Sequence, residues 1–118
     1  MVKRYTAVSE VLAAALRKFG PEGQYWIKGA EHRCSKNGED KYCMLGAVKA
    51  VTNSKEQLDL RSKALVVLAK HVGNCWIPGF NDTPGRRFPE IKLAMCSAIK
   101  GALAQEKKGK NAGTRVSK

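Results

Sequence analysis

Val8-Ser9-Glu10-Val11-Leu12-Ala13-Ala14-Ala15-Leu16-Arg17-Lys18-Phe19-Gly20-Pro21 places apolar residues at Val8, Val11, Leu12, Ala15, Leu16 and Phe19. This is the i, i+3, i+4, i+7 spacing of one helical face. Gly20 accepts a left-handed cap and Pro21 cannot continue the helix, so the element stops there. Downstream, Leu58, Leu65, Leu68 and Val72 form a second stripe after Ser54-Lys55-Glu56-Gln57, which reads as a capping box. Asp59 and Lys63 add an i, i+4 ion pair to that helix, and Gly73 ends it. Ile91, Met95, Ala98, Ile99, Ala102 and Leu103 mark a last helix that begins near Pro89. A shorter helix, capped by Asp40, is expected from Tyr42 to about Val51. Tyr25-Trp26-Ile27-Lys28-Gly29-Ala30 reads as one or two further helical turns with an aromatic anchor. No stretch alternates with a strand period. The expected fold is all-α, a compact bundle of four to five helices.

Between these helices, residues 31–41 are polar and contain the turn signal Asn37-Gly38. Residues 74–87 hold several Gly and Pro interruptions and are expected to form a long ordered loop before the last helix. After Glu106 the chain has five positive charges, no negative ones and little apolar content, the composition of a disordered tail. The expected organisation is one helical domain over residues 1–106 and a basic tail over 107–118.

The chain has 118 residues, too few for two cores. Lys plus Arg is 22 against 10 Asp plus Glu, a net charge of +12, of which +7 remains without the tail. That balance excludes an acidic nucleic-acid mimic and favours anionic partners, either nucleic acid or an acidic protein surface. No apolar run approaches the length of a membrane span. Lys3 and Arg4 before the first helix imitate a signal peptide, but Glu10 interrupts the apolar stretch and Arg17-Lys18 closes it. A cytoplasmic location is expected, with no membrane partner.

Cys34, Cys43, Cys75 and Cys96 include no Cys-x-x-Cys pair and are too sparse for a disulfide scaffold. His32-x-Cys34 with Cys43, and His71-x-x-x-Cys75, are legal zinc ligand types, yet their spacing matches no zinc ribbon or finger. Small buried hydrophobes are the plainer reading of the thiols, and no metal or cofactor is expected. For catalysis, His71, Cys75 and Asp82 are the one set clustered enough to consider, against the ordinary reading of His71 as a helix-end side chain. No Gly-rich phosphate loop occurs.

Trp26-Ile27-Lys28-Gly29-Ala30, Cys43-Met44-Leu45-Gly46-Ala47 and Phe80-Asn81-Asp82-Thr83-Pro84-Gly85-Arg86 stand in that order along the chain. The set resembles a family of small, functionally uncharacterised helical proteins of bacteria and phages. Its members carry Trp-x-x-Gly-Ala, Cys-x-x-Gly-Ala and aromatic-Asn-Asp-x-Pro-Gly motifs. The likeness covers roughly residues 8–104 and leaves out the basic tail. Where the family places a capping Thr after the loop Arg, this chain has Arg87-Phe88-Pro89, so a different entry to the last helix is expected. The resemblance implies a phage or accessory origin and no reaction.

From the residues themselves, Gly29-Ala30 and Gly46-Ala47 read as small surfaces that let two helical segments approach beside Trp26. Asn81 and Asp82 suit Asx-turns. The functional alternative makes residues 76–87 a binding loop: Trp76 and Phe80 would rim a pocket lined by Asn81, Asp82, Arg86 and Arg87, with Lys92 following on the last helix. Lys3, Arg4, Arg17 and Lys18 gather near the first helix, and Arg86, Arg87, Lys92 and Lys100 near the last. If both sets share one face they form a phosphate-binding surface; otherwise they are a solubilising coat. The expected function is a non-enzymatic binding protein acting through that basic surface. A nucleotide or small-anion binder using the 76–87 loop, and a Cys/His hydrolase, are the alternatives.

Overall fold

The computed structural model describes residues 5–34, 39–73 and 76–116, the last eight of these by backbone alone. Helix α1 spans Val8–Lys18, as its spacing predicts. Its buried face carries Val11, Leu12 and Ala15, with Phe19 fully buried at its end. Glu10 accepts from the backbone N–H groups of Thr6 and Ala7 just before the helix, at 2.9 and 3.2 Å. Gly20 adopts φ +80°, the left-handed stop expected of it.

Residues 25–30 are not helical, against expectation. Ile27 donates to the carbonyl of Tyr42 at 3.0 Å, and Tyr42 donates to the carbonyl of Tyr25 at 2.8 Å, so the segment lies extended beside residue 42. A small antiparallel pair, β1 (His32–Arg33) and β2 (Lys41–Tyr42), follows. The fold is therefore mostly helical with a two-stranded sheet, and not purely all-α. Two residues per strand are too few for an alternating pattern to register in the sequence. The expected turn at Asn37-Gly38 lies outside the described residues.

Helix α2 spans Met44–Val51. Its N-cap is Cys43, whose Sγ accepts from the Gly46 N–H at 3.4 Å, and not Asp40, which sits before β2. Ser54 precedes a 3-10 turn, Lys55–Gln57, that leads into α3, Leu58–His71. The expected capping box does not close. Gln57 is buried and instead pairs both ways with the backbone of Tyr5, its Oε1 accepting and its Nε2 donating at 3.0 Å each. Ser54 Oγ is left buried without a partner among the described residues. The expected Asp59–Lys63 ion pair is present at 3.1 Å.

Within the expected loop, Ile77–Asn81 coils into a short helix, α4, with Pro78 in its first turn, where a missing N–H costs nothing. Helix α5 runs Phe88–Val116 and continues through most of the basic segment after Glu106. Its buried face holds Ile91, Ala94, Met95, Ala98 and Ala102; Leu103 and, on α3, Leu58 face solvent despite their place in the predicted stripes. α1, α2, α3 and α5 enclose one core, in which Phe19, Leu12, Met44, Leu68, Ile91 and Met95 are the largest fully buried apolar side chains. Each contributes about 1.5–3 kcal/mol of transfer free energy. α1 packs most extensively on α5, and Glu106 fastens the pair: its carboxylate accepts from Ser9 Oγ at 2.7 Å and Ser9 N–H at 3.0 Å. No described helix is long and apolar enough to cross a membrane.

Candidate functional site

Asn81 ends α4 fully buried, and every hydrogen-bonding capacity of its carboxamide is used. Oδ1 accepts from the Trp26 indole Nε1 at 2.7 Å and from the Met44 N–H at 3.0 Å. Nδ2 donates to the Ile27 carbonyl at 3.0 Å and to Asp82 Oδ1 at 2.8 Å. Asp82 Oδ1 also accepts from the Gly29 N–H at 3.0 Å. The Trp, Cys and Asn-Asp motifs thus meet at one carboxamide. The Asn81 side chain ties segments 37–55 residues apart, whereas Thr83 and Arg86 bond within the loop itself, to the carbonyls of Gly79 and Phe80.

The two glycine pairs divide. Gly46 is buried, and a Cβ there would fall on the carbonyl oxygen of Glu31, so the small residue admits the backbone before β1 and not a second helix. That carbonyl also accepts from the Cys43 N–H at 3.1 Å. Gly29 has open space around it and φ +81°; its glycine serves the turn that aims its N–H at Asp82.

Arg86 and Arg87 differ in their engagements. The Arg86 guanidinium lies over the Phe80 ring at 3.8 Å, donates through Nε to the Phe80 carbonyl at 3.0 Å, and pairs with Glu90 at 3.1 Å. Arg87 exposes its side chain, while its backbone N–H is taken by the Glu90 carboxylate at 2.8 Å. This contact is the carboxylate half of a capping box, and the Arg87 side chain, which has no acceptor, supplies no counterpart to the hydroxyl half. The contact is also the first cause of a Glu90 carboxyl held below its ordinary value, ahead of the Arg86 contacts. Trp76, 70% exposed, lines an open groove of about 690 Å³ with Leu65, Val66, Ala69, Ile77 and Pro78. That surroundings is apolar, whereas the sequence suggests a polar pocket.

Of the two groups of basic residues, one member of each is brought to the same cavity. Arg17 from α1 and Lys92 from α5 line one cavity of about 350 Å³ with Leu16, Gly20, Pro21 and Phe88. Among the described residues neither forms an ion pair. Elsewhere cations are spoken for: Lys49 pairs with Glu31 at 2.9 Å, and Arg61 donates to Thr52 Oγ1 and to the carbonyls of Lys49 and Thr52. Lys18 stands 5.8 Å from the Tyr42 ring centre. Lys3 and Arg4 lie outside the described residues.

Of the candidate catalytic set, His71 Nδ1 contacts the Val67 carbonyl at 2.9 Å and its ring lies against Gly101, while Asp82 is held as described. Cys75 lies outside the described residues. Of the candidate zinc ligands, Cys43 is buried in its capping role, and burial pushes its thiol up. His32 and Cys34 do come together, and Asp40, read in the sequence as a helix cap, joins them. His32 Nε2 lies 3.7 Å from Cys34 Sγ and 3.4 Å from Asp40 Oδ2. Its ring stacks on Tyr42 at 4.8 Å and 6°. The Tyr42 hydroxyl is pushed above its ordinary value by burial first and then by the charge of Asp40 beside it. What the sequence reading misses is the antiparallel pairing of His32–Arg33 with Lys41–Tyr42, which brings these residues opposite one another.

A model of a family of unknown function (DUF6197) matches residues 3–101. The chain belongs to that family. The matched region contains the whole Asn81 junction, the His32–Cys34–Asp40 group and the Arg17–Lys92 cavity, and it ends inside α5. No curated protein and no solved structure matches the chain.

Proposed function

We propose that this DUF6197 member is a small non-enzymatic binding protein, of the phage or accessory type that its motifs suggest, and that it holds the phosphate backbone of nucleic acid on its α1–α5 face. The observation that carries this reading is the convergence of Arg17 and Lys92 on one cavity without carboxylate partners among the described residues. Exposed Arg87, Lys100, Lys107 and Lys108 on or beside α5 extend the same basic character. A guanidinium and several ammonium groups on rigid helices suit backbone contacts that carry no sequence information. In this reading Arg87 and Lys92 touch the anion. Asn81, Asp82, Arg86 and Phe80 hold the loop that presents them, and Trp76 lies on the neighbouring apolar groove.

The test is a salt titration of the full chain with labelled single- and double-stranded oligonucleotides. Phosphate contacts give a steep linear fall of log K with log salt, and each contact removed lowers that slope by about 1. Arg17→Ala with Lys92→Ala is expected to lower it by about 2 without shifting the melting temperature. A shallow slope, with binding lost instead in Arg87→Ala, would move the site to a single enclosed anion at residues 76–87. Failure to bind oligonucleotides, with salt-sensitive capture of an acidic protein, would replace the nucleic acid as partner.

A further inference from the structure

The register of the hairpin puts four side chains on one face. His32 pairs with Tyr42 and Arg33 with Lys41, and continuing that antiparallel register one step sets Cys34 opposite Asp40. Alternate residues of a strand point to the same side, so His32, Cys34, Asp40 and Tyr42 share a face. The parallel stacking of His32 on Tyr42 agrees with this.

We infer that His32, Cys34 and Asp40 form a three-ligand site for a divalent transition metal of the zinc type. One nitrogen, one sulfur and one oxygen donor lie within 4.8 Å of one another. Tetrahedral zinc, with bonds of about 2.3 Å to sulfur and about 2.0–2.2 Å to nitrogen and oxygen, sets a nitrogen–oxygen edge of about 3.4 Å and a nitrogen–sulfur edge of about 3.5 Å. The observed separations are 3.4 Å from His32 Nε2 to Asp40 Oδ2 and 3.7 Å from His32 Nε2 to Cys34 Sγ. Those two edges need movements of a few tenths of an ångström, and the sulfur–oxygen edge, which lies within 4.8 Å, closes by at most about 1 Å onto a tetrahedral edge of about 3.6 Å. A His–Asp ion pair alone accounts for the first contact but gives no reason for the thiol at the second.

Tyr42 supplies outer support of the kind such sites use, holding the His32 ring by parallel stacking at 4.8 Å. His32 and Cys34 are exposed, so the fourth corner of the tetrahedron faces solvent and takes water or an external anion. On binding, the Cys34 thiol passes its proton to solvent and the thiolate coordinates; no redox change is involved. The metal would join both arms of a hairpin whose ladder is two residue pairs long, a length marginal by itself.

The test is a titration of the reduced, metal-free full-length protein with Co(II), a spectroscopic stand-in for zinc. One equivalent is expected to produce thiolate-to-cobalt charge transfer and intense tetrahedral d–d bands, both discharged by Zn(II). Cys34→Ser is expected to abolish the charge-transfer band. His32→Ala and Asp40→Asn are expected to weaken binding at least tenfold, and Tyr42→Ala, which removes the stacked ring, is expected to weaken it as well. Cys96→Ser should change none of this. Because the ligands lie on an exposed hairpin, circular dichroism of each ligand variant should match the parent. Zn(II) should also slow alkylation of Cys34. Charge transfer that persists in Cys34→Ser, or no saturation at one equivalent, would overturn the assignment.

Discussion

The indole N–H of Trp26 donates to Oδ1 of Asn81 at 2.7 Å, joining residues 55 positions apart through the interior. The same carboxamide oxygen holds the first N–H of α2 at Met44. Losing the side chain therefore strands a donor in each of two elements and leaves the Ile27 carbonyl without its partner. Asn81→Ala is expected to cost about 3 kcal/mol or more, since each stranded buried group costs about 1–3 kcal/mol. Asn81→Asp keeps the acceptor but loses the donor and sets a second carboxylate beside Asp82, so it should be no milder. Urea unfolding of the two variants checks this, and a loss below about 1 kcal/mol would mean the junction relaxes around water.

Gly46 and Gly29 should respond to alanine in different ways. Gly46→Ala drives a Cβ into the Glu31 backbone carbonyl, which has no flexible end to move, and is expected to cost more than about 2 kcal/mol. Gly29→Ala meets no atom and incurs only the left-handed backbone, about 1 kcal/mol. Parallel denaturation curves would separate steric exclusion from conformational strain.

Adjacent arginines should also part company. Arg86→Ala removes the stacking on Phe80, the bond to its carbonyl and the Glu90 pair, and is expected to lower stability by about 1–2 kcal/mol. Arg87→Ala leaves its structural backbone contact intact and should affect only anion binding. Melting temperature and oligonucleotide affinity, measured on both variants, decide the division.

Glu90 gives a pH signature. Its carboxyl is held below the ordinary value of 4.5, first by the Arg87 N–H and then by Arg86. A depressed folded value means the carboxylate stabilises the fold above 4.5, and that contribution is lost as pH falls through the lower value. Glu90→Gln should therefore lower stability above 4.5 and flatten the acid limb of the profile, while changing little at pH values below the folded carboxyl value. Urea midpoints across that acid window provide the measurement.

The helices were readable because a 3.6-residue stripe needs no knowledge of its partner. α1 follows the pattern at Val8, Val11, Leu12 and Ala15, and the stops at Gly20 and Gly73 carry the φ values their residue type allows. Leu58 and Leu103 fit their stripes and still face solvent, because periodicity gives a direction and not what lies there. The hairpin was missed because two-residue strands carry no pattern, and Asp40 went with it. At residues 25–30 a local helical reading lost to backbone pairing with Tyr42, a partner found only in the folded chain. The basic convergence was legible as a condition: the sequence names both groups of cations, and only the packing of α1 on α5 brings Arg17 beside Lys92.

That packing has a bearing on how the protein is made. The ribosome delivers α1 first and α5 last, and the tie between Ser9 and Glu106 spans 97 positions. At cellular elongation speeds the two helices emerge on the order of ten seconds apart. For that interval the core face of α1, with Val11, Leu12 and Ala15, has α2 and α3 to pack against but lacks α5, its most extensive neighbour. A nascent chain stalled before Phe88 would not be a smaller working domain. It would present an amphipathic helix with part of its sticky side uncovered, the kind of surface that chaperones hold and proteases clear.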